Sequence, residues 1–200
     1  MRAEILGRFE GNVVRARNLV QVYGQIARQG QGRQPVATVD VLRAATVFLH
    51  ASLEEVARNI ARWKYPGSGE PTLNEIPIVG STGRAERFLL GRLASHRGKT
   101  IQAVIDESVD EYLSTFTINS TTELSSFLSK VGVNPNTVNG EFATLAELFA
   151  RRHHIVHQVD RNDEPGQGHH EARGLNQGTV TGWIDSVDRF VRDLLPRIPD

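Results

Sequence analysis

The chain has 200 residues, 39% hydrophobic and 23% charged, with 23 basic and 23 acidic side chains and a formal net charge of +0. Such a length and balance suit one globular domain able to bury a core, and exclude global attraction to nucleic acid or anionic membranes, so any such binding is local. The lack of cysteine excludes disulfides and thiolate metal sites, and with no signal-peptide pattern or bilayer-spanning apolar run, a cytoplasmic protein without membrane association is expected.

Helical spacing of Ile5, Phe9, Val13, Leu19, Val20, Tyr23 and Ile26 predicts a first helix over 4–27, weakened by Gly7, Gly11 and Gly24. Gln29-Gly30-Gln31-Gly32-Arg33-Gln34-Pro35 reads as a loop. Asp40 is the candidate N-cap of a second helix over 40–63. Its apolar stripe, Leu42, Thr46, Leu49, Leu53, Val56 and Ile60, is the clearest amphipathic pattern in the chain. His50, Glu54 and Arg58 form a parallel polar stripe at four-residue steps, which reads as an exposed face with a Glu-to-Arg pair. His50 and Glu54 also stand as supporting candidates for a site completed by another helix.

Residues 64–84 carry three prolines and four glycines and predict a long, partly irregular connection. Helices are expected over 85–95 and 100–115, the second burying Val104, Ile105, Val109, Tyr112, Leu113 and Phe116. The turn between them holds His96, Arg97 and Lys99, which read as solvated charge. Ser120-Thr121-Thr122-Glu123 is a capping box that should start a short helix ending near Gly132. A further helix begins near Phe142, a polar loop without an apolar anchor covers 162–178, and a last helix over 179–195 buries Val180, Trp183, Ile184, Val187, Phe190 and Leu194. The expected architecture is a single all-α domain over 1–200, a compact helical bundle of about six or seven helices, with 36–200 as its core.

Five basic or imidazole side chains crowd into residues 151–157: Arg151, Arg152, His153, His154 and His157, followed by Asp160 and Arg161. Leu145, Leu148, Arg152, Ile155 and Val159 share one stripe, which sets Arg152 on a face expected to be buried. A guanidinium there needs a carboxylate, a phosphate or water in a cleft. At about 100° per residue, Arg152 and His157 lie roughly 140° apart, so one helix alone brings them together poorly.

Three readings compete. His153 and His157 have the spacing of zinc-binding histidines, but His154 stands where such motifs need glutamate, and only Asp160 is an acid within reach. A polar helix end paired with Asp160, Asp163 and Glu164 as solvated ion pairs is what composition alone favours. Metal-independent phosphodiester chemistry is the third: an imidazole moves the proton of a ribose 2′-hydroxyl, and a fixed guanidinium stabilises charge on the phosphoryl oxygens.

The segment Arg152-His153-His154-Ile155-Val156-His157 resembles the Arg-x4-6-His motif of the HEPN superfamily, small all-α proteins that include many metal-independent ribonucleases. The longer segments 150–162 and 42–55 are similar to the RiboL-PSP-type branch of that superfamily. The resemblance covers roughly 39–200. It implies a homodimer in which two motif helices meet and two Arg/His pairs form one composite cleft that cuts RNA without a cofactor. It also implies a toxin or anti-phage defence context, with an antitoxin or other defence partner. By position, Arg152 would stabilise the scissile phosphate, His157 would serve as general acid/base, and His153 would orient the site. Arg151 is the alternative arginine, and Asp160 a supporting group. Because such families also contain inactive members, the alternative is a HEPN-like module that binds RNA, a nucleotide or a protein partner without catalysis.

Overall fold

The computed structural model describes residues 1–28, 35–80, 90–160 and 173–200, and of Leu90 and Arg92 only the backbone. All regular structure among them is helical. Seven α-helices follow in order: α1 (Arg2–Ala27), α2 (Val36–Lys64), α3 (Glu70–Leu73), α4 (Ile101–Ser114), α5 (Thr121–Lys130), α6 (Phe142–Gln158) and α7 (Gln177–Leu194). The protein is therefore all-α, as the periodicity predicts. The loop expected at 29–34, the beginning of the helix expected over 85–95, the 162–172 part of the polar loop, and Arg161, Asp163 and Glu164 lie outside the described residues.

The described residues form two compact units, Met1–Ala57 with Ile118–Asp200, and Arg58–Thr117. In the first, α1 lies along α7, and α7 also packs against α6. Ile5, Phe9 and Val13 of α1, Leu145 and Leu148 of α6, and Val180, Ile184, Val187 and Phe190 of α7 are all buried, each such side chain being worth about 1.5–3 kcal/mol. The helix α2 is central to this unit. Its expected stripe is buried throughout, from Leu42 and Thr46 to Val56, and so are Ala45, His50, Ser52 and Glu54 on other sides. Burial on several faces explains why α2 is long and apolar enough to cross a membrane by length and composition, although the sequence shows no uninterrupted apolar run. Half of its most apolar 18-residue stretch is buried within the protein.

Helix ends follow local chemistry. Pro35, and not Asp40, marks the start of α2: its carbonyl accepts from the amides of Thr38 and Val39 at 3.0 and 3.2 Å. Asp40 lies inside the helix and turns its carboxylate to Arg43. Ser120 caps α5 by accepting from the Glu123 amide at 3.1 Å, while the Glu123 carboxylate reaches one residue further back than a simple capping box, to the Asn119 amide at 2.7 Å. Gly132 ends α5 with φ 82°, and the Val133 amide closes back on Leu128 at 2.9 Å in a Schellman turn.

The second unit contains the short helix α3, a 3-10 turn over Leu90–His96, and α4, capped by Thr100. Of the face expected to be buried on α4, Val109 and Leu113 are buried. Val104 and Ile105 are half-buried and, with Val109, line an apolar cavity of about 510 Å³ together with Leu73, Ile76, Leu93 and Ile101.

The junction between α6 and α7 rests on Glu141. Its carboxylate accepts from the Ser186 hydroxyl at 2.6 Å and from Nε and Nη2 of Arg189 at 2.8 and 2.9 Å. Hydrogen bonding from Arg189, then from Ser186, holds its pKa below the ordinary carboxylate value. A depressed folded-state pKa gives stabilisation that is complete above the unfolded-state value, about 4.3, and is lost as pH falls through the lower folded-state value. Glu141→Gln should therefore lower the melting temperature most near neutral pH. Melts run from about pH 6 to about pH 3 should show the gap to wild type closing; a gap that widens on acidification would contradict this role.

Candidate functional site

The helix α6 begins with an apolar half and ends with a polar one. Leu145, Leu148 and Phe149 are buried, whereas Arg152 and Ile155 are half-buried and His153, Val156 and His157 exposed. The stripe expected to run on to Val159 stops earlier, because the helix terminates at Gln158. Val159 adopts the left-handed conformation with φ 52° and is 71% exposed; Asp160 follows with φ 55°. Two successive left-handed residues without glycine are costly, about 1–3 kcal/mol each, and Val159 is β-branched as well. The turn carries the chain back so that the Asp160 amide donates to the His154 carbonyl at 3.0 Å.

This turn delivers the Asp160 carboxylate into the interior, where it is fully buried. Its Oδ2 accepts from Arg43 Nε at 2.7 Å and from Arg151 Nη2 at 2.8 Å. Both arginines continue to the chain that leads into α7: Arg43 Nη2 and Arg151 Nη2 donate to the Arg173 carbonyl at 2.9 Å each, and Arg151 also to Gly174 at 3.0 Å. The Arg173 amide donates to the Asp160 carbonyl at 2.8 Å. Burial lowers the Arg151 pKa from its ordinary value; Asp160 opposes the change, while Arg43 and Arg173 reinforce it. With Asp40 on the outer side of Arg43 at 2.8 Å, two guanidiniums face two carboxylates. Asp160 is thus no solvated partner of a polar helix end, nor a third ligand beside His153 and His157. It ties α2, α6 and the entry to α7 together. Leu175, buried in that same entry, corrects the expectation of a loop without an apolar anchor.

A second polar cluster holds the residues between α4 and α5. His50 and Glu54 are not an exposed stripe; they are 1% and 6% exposed. His50 Nε2 donates to the Ile118 carbonyl at 2.9 Å, and Glu54 Oε1 accepts from the Ile118 amide at 3.2 Å. Both backbone groups of a buried residue are satisfied in this way by two side chains one helical turn apart. The His50 Nδ1 stands 3.8 Å from Glu54, and the His50 ring packs edge-on against Phe149 of α6 at 5.3 Å. The residue after Ile118 then reaches the motif: Arg152 Nη1 donates to Asn119 Oδ1 at 3.1 Å. The half-buried Arg152 therefore has a partner within the fold, a neutral amide and not a carboxylate.

The imidazoles form a third group. His153 and His157 share the exposed face of α6 with ring centroids 4.7 Å apart, and the neighbouring Val156 is 46% exposed. His154 faces another way and donates from Nδ1 to Gln158. No hydrogen bond links Arg152 to His157, in keeping with their angular separation on one helix. Among the described residues no three of His, Asp and Glu come together as metal ligands. A cleft of about 330 Å³ is lined by Glu147, Arg151, His154, Arg173, Asn176 and Thr179, on the side away from Arg152.

The candidates thus separate into a buried lock (Arg151 and Asp160), a backbone clamp (His50 and Glu54) that leads to Arg152, and an exposed imidazole face (His153 and His157). Sequence reasoning missed Arg43 and Asn119. For Asn119 the one available signal was its place directly before the capping box. Compared with known proteins, the chain matches no family model, no curated protein and no solved structure.

Removing the central carboxylate would leave the buried Arg43 and the half-buried Arg151 guanidiniums facing each other. Asp160→Ala should cost about 3–5 kcal/mol in urea denaturation; a loss under about 1 kcal/mol would show that the lock is not a stabilising element. Val159→Asn should do the opposite. Asparagine tolerates the left-handed conformation and little burial is lost, so a gain of up to about 1 kcal/mol is expected in the same measurement.

Proposed function

We propose that this chain is a metal-independent endoribonuclease of the HEPN type, working as a homodimer in the cytoplasm in a toxin or anti-phage defence role. The observation that carries the proposal is the state of Arg152. Arg43 and Arg151 are held by Asp160, while Arg152 is bonded to a neutral amide and has no carboxylate partner among the described residues. Its charge is left for an anion. A guanidinium so placed suits the non-bridging oxygens of a phosphodiester, where fixed donors stabilise the charge that develops during cleavage.

The exposed imidazoles supply the proton chemistry. His157 is the general acid/base toward the 2′-hydroxyl or the leaving oxygen, and His153, 4.7 Å away ring to ring, is its orienting neighbour. Since Arg152 and His157 point apart on one helix, the reactive pair is completed by a second copy of α6. Val156 and Val159, at 46% and 71% exposure beside the histidines, provide apolar surface for that contact. The resemblance of 152–157 to the Arg-x4-6-His motif is the other support. RNA is the substrate class because it carries its own nucleophile; a neutralising antitoxin or other defence partner belongs to the same proposal.

The test is RNA incubated with the purified chain in EDTA, alongside Arg152→Ala and His157→Ala. Cleavage should persist in EDTA and fall at least about 100-fold in each variant. No cleavage, or cleavage indifferent to both substitutions, sinks the proposal in favour of a non-catalytic binding module. Cleavage abolished by EDTA and restored by zinc would point to the two-histidine ligand reading instead.

A further inference from the structure

We infer that Asn119 is the positioning residue for Arg152, and that its being an amide and not a carboxylate is what keeps the Arg152 charge available to the substrate phosphate. The inference rests on the ribonuclease reading of the same site and adds to it a residue outside the motif, 33 positions earlier in the chain.

The contact itself is specific. A guanidinium has five donors and no acceptor, so the amide must present its oxygen, and Asn119 Oδ1 accepts from Nη1 at 3.1 Å. The other guanidinium nitrogens of Arg152 make no hydrogen bond among the described residues. One bond therefore fixes the direction of the side chain while the remaining donors stay open for two phosphoryl oxygens.

The position of Asn119 is set by what surrounds it. Its backbone N–H donates to Glu123 Oε2 at 2.7 Å, which ties it to the first turn of α5. The preceding residue, Ile118, is 1% exposed and held on both backbone groups by His50 and Glu54 of α2. The backbone that presents the amide is thus fixed from two helices before Arg152 arrives from a third. This also gives His50 and Glu54 a use that neither a solvated face nor a direct catalytic role would: they act on Arg152 at one remove, through Ile118 and Asn119.

The neighbouring arginine supplies the contrast. Arg151 meets the buried carboxylate of Asp160 at 2.8 Å, and its charge is compensated within the fold. A carboxylate at position 119 would do the same to Arg152. It would hold the side chain in place equally well, yet compete with the phosphate for it. Asparagine gives orientation without compensation. A purely structural hydrogen bond has no such preference, because an aspartate would serve it at least as well.

Steady-state RNA cleavage by the full-length chain separates the possibilities. Asn119→Ala should lower kcat about 10-fold with little change in the melting temperature, since it loosens a group needed in the transition state. Added to Arg152→Ala, the same substitution should change nothing further, because its effect passes through the arginine. Asn119→Asp is isosteric and keeps the acceptor. It should preserve the fold and the Arg152 Nε–H resonance seen by NMR, yet lower kcat at least as far as alanine does. Full activity in Asn119→Asp, or an undiminished Asn119→Ala effect in the Arg152→Ala background, would overturn the role. If wild type cuts RNA and loses activity in Arg152→Ala but Asn119→Ala stays within about twofold of wild type, the positioning role alone is overturned. Wild type that cuts no RNA overturns the ribonuclease reading and this role with it.

Discussion

A buried carboxylate between two guanidiniums is the constraint on which the rest of the first unit depends. Asp160 is fully buried, and an isolated charge there would be prohibitively unfavourable. Arg43 from α2 and Arg151 from α6 make it tenable, and in doing so they fix three separated parts of the chain. The pairing with the carbonyls of Arg173 and Gly174 extends the constraint to the entry of α7. Any arrangement of α6 that frees its exposed face must leave this cluster intact. The end of α6 is thus well determined even though its last residues are polar and exposed.

The left-handed pair Val159–Asp160 is the local counterpart of that constraint. Valine is a poor occupant of φ 52°, and nothing in its own contacts repays the strain, since it is largely exposed. The compensation comes one residue later, in the ion pairs and in the amide of Asp160 closing on His154. Strain at one position is held by charge pairing at the next. The same turn cuts short the helical stripe that spacing alone would continue.

This is why the helices were legible in the sequence and the site only in part. The start of α6, the boundaries of α7, the capping of α5 by Ser120 and the stop at Gly132 follow from local signals, and the structure places them within a residue or two. The stripe of α2 was equally clear. What spacing cannot convey is what lies opposite a given face. His50 and Glu54 at four-residue spacing look like any solvated pair until a loop backbone with unsatisfied groups is set against them. Asp160 looks like the acid at the end of a polar helix until two left-handed residues turn it inward. Arg152 was recognisable as a cation in need of a partner, but nothing nearby in sequence points to Asn119.

Arg151 and Arg152 show how far adjacent identical residues can diverge. They lie about 100° apart around the helix, which sends one toward α2 and the entry of α7, and the other toward the residues before α5. Solvation and pairing then do the rest. Arg151 loses hydration, meets a carboxylate and becomes part of the fold. Arg152 keeps partial exposure and meets only an amide. An arginine whose charge is balanced internally contributes stability and little else, whereas one held by a neutral group carries its charge outward at a defined angle. The difference lies in direction, solvation and partner, and gives the two arginines of one dipeptide different surroundings without any difference in their own chemistry.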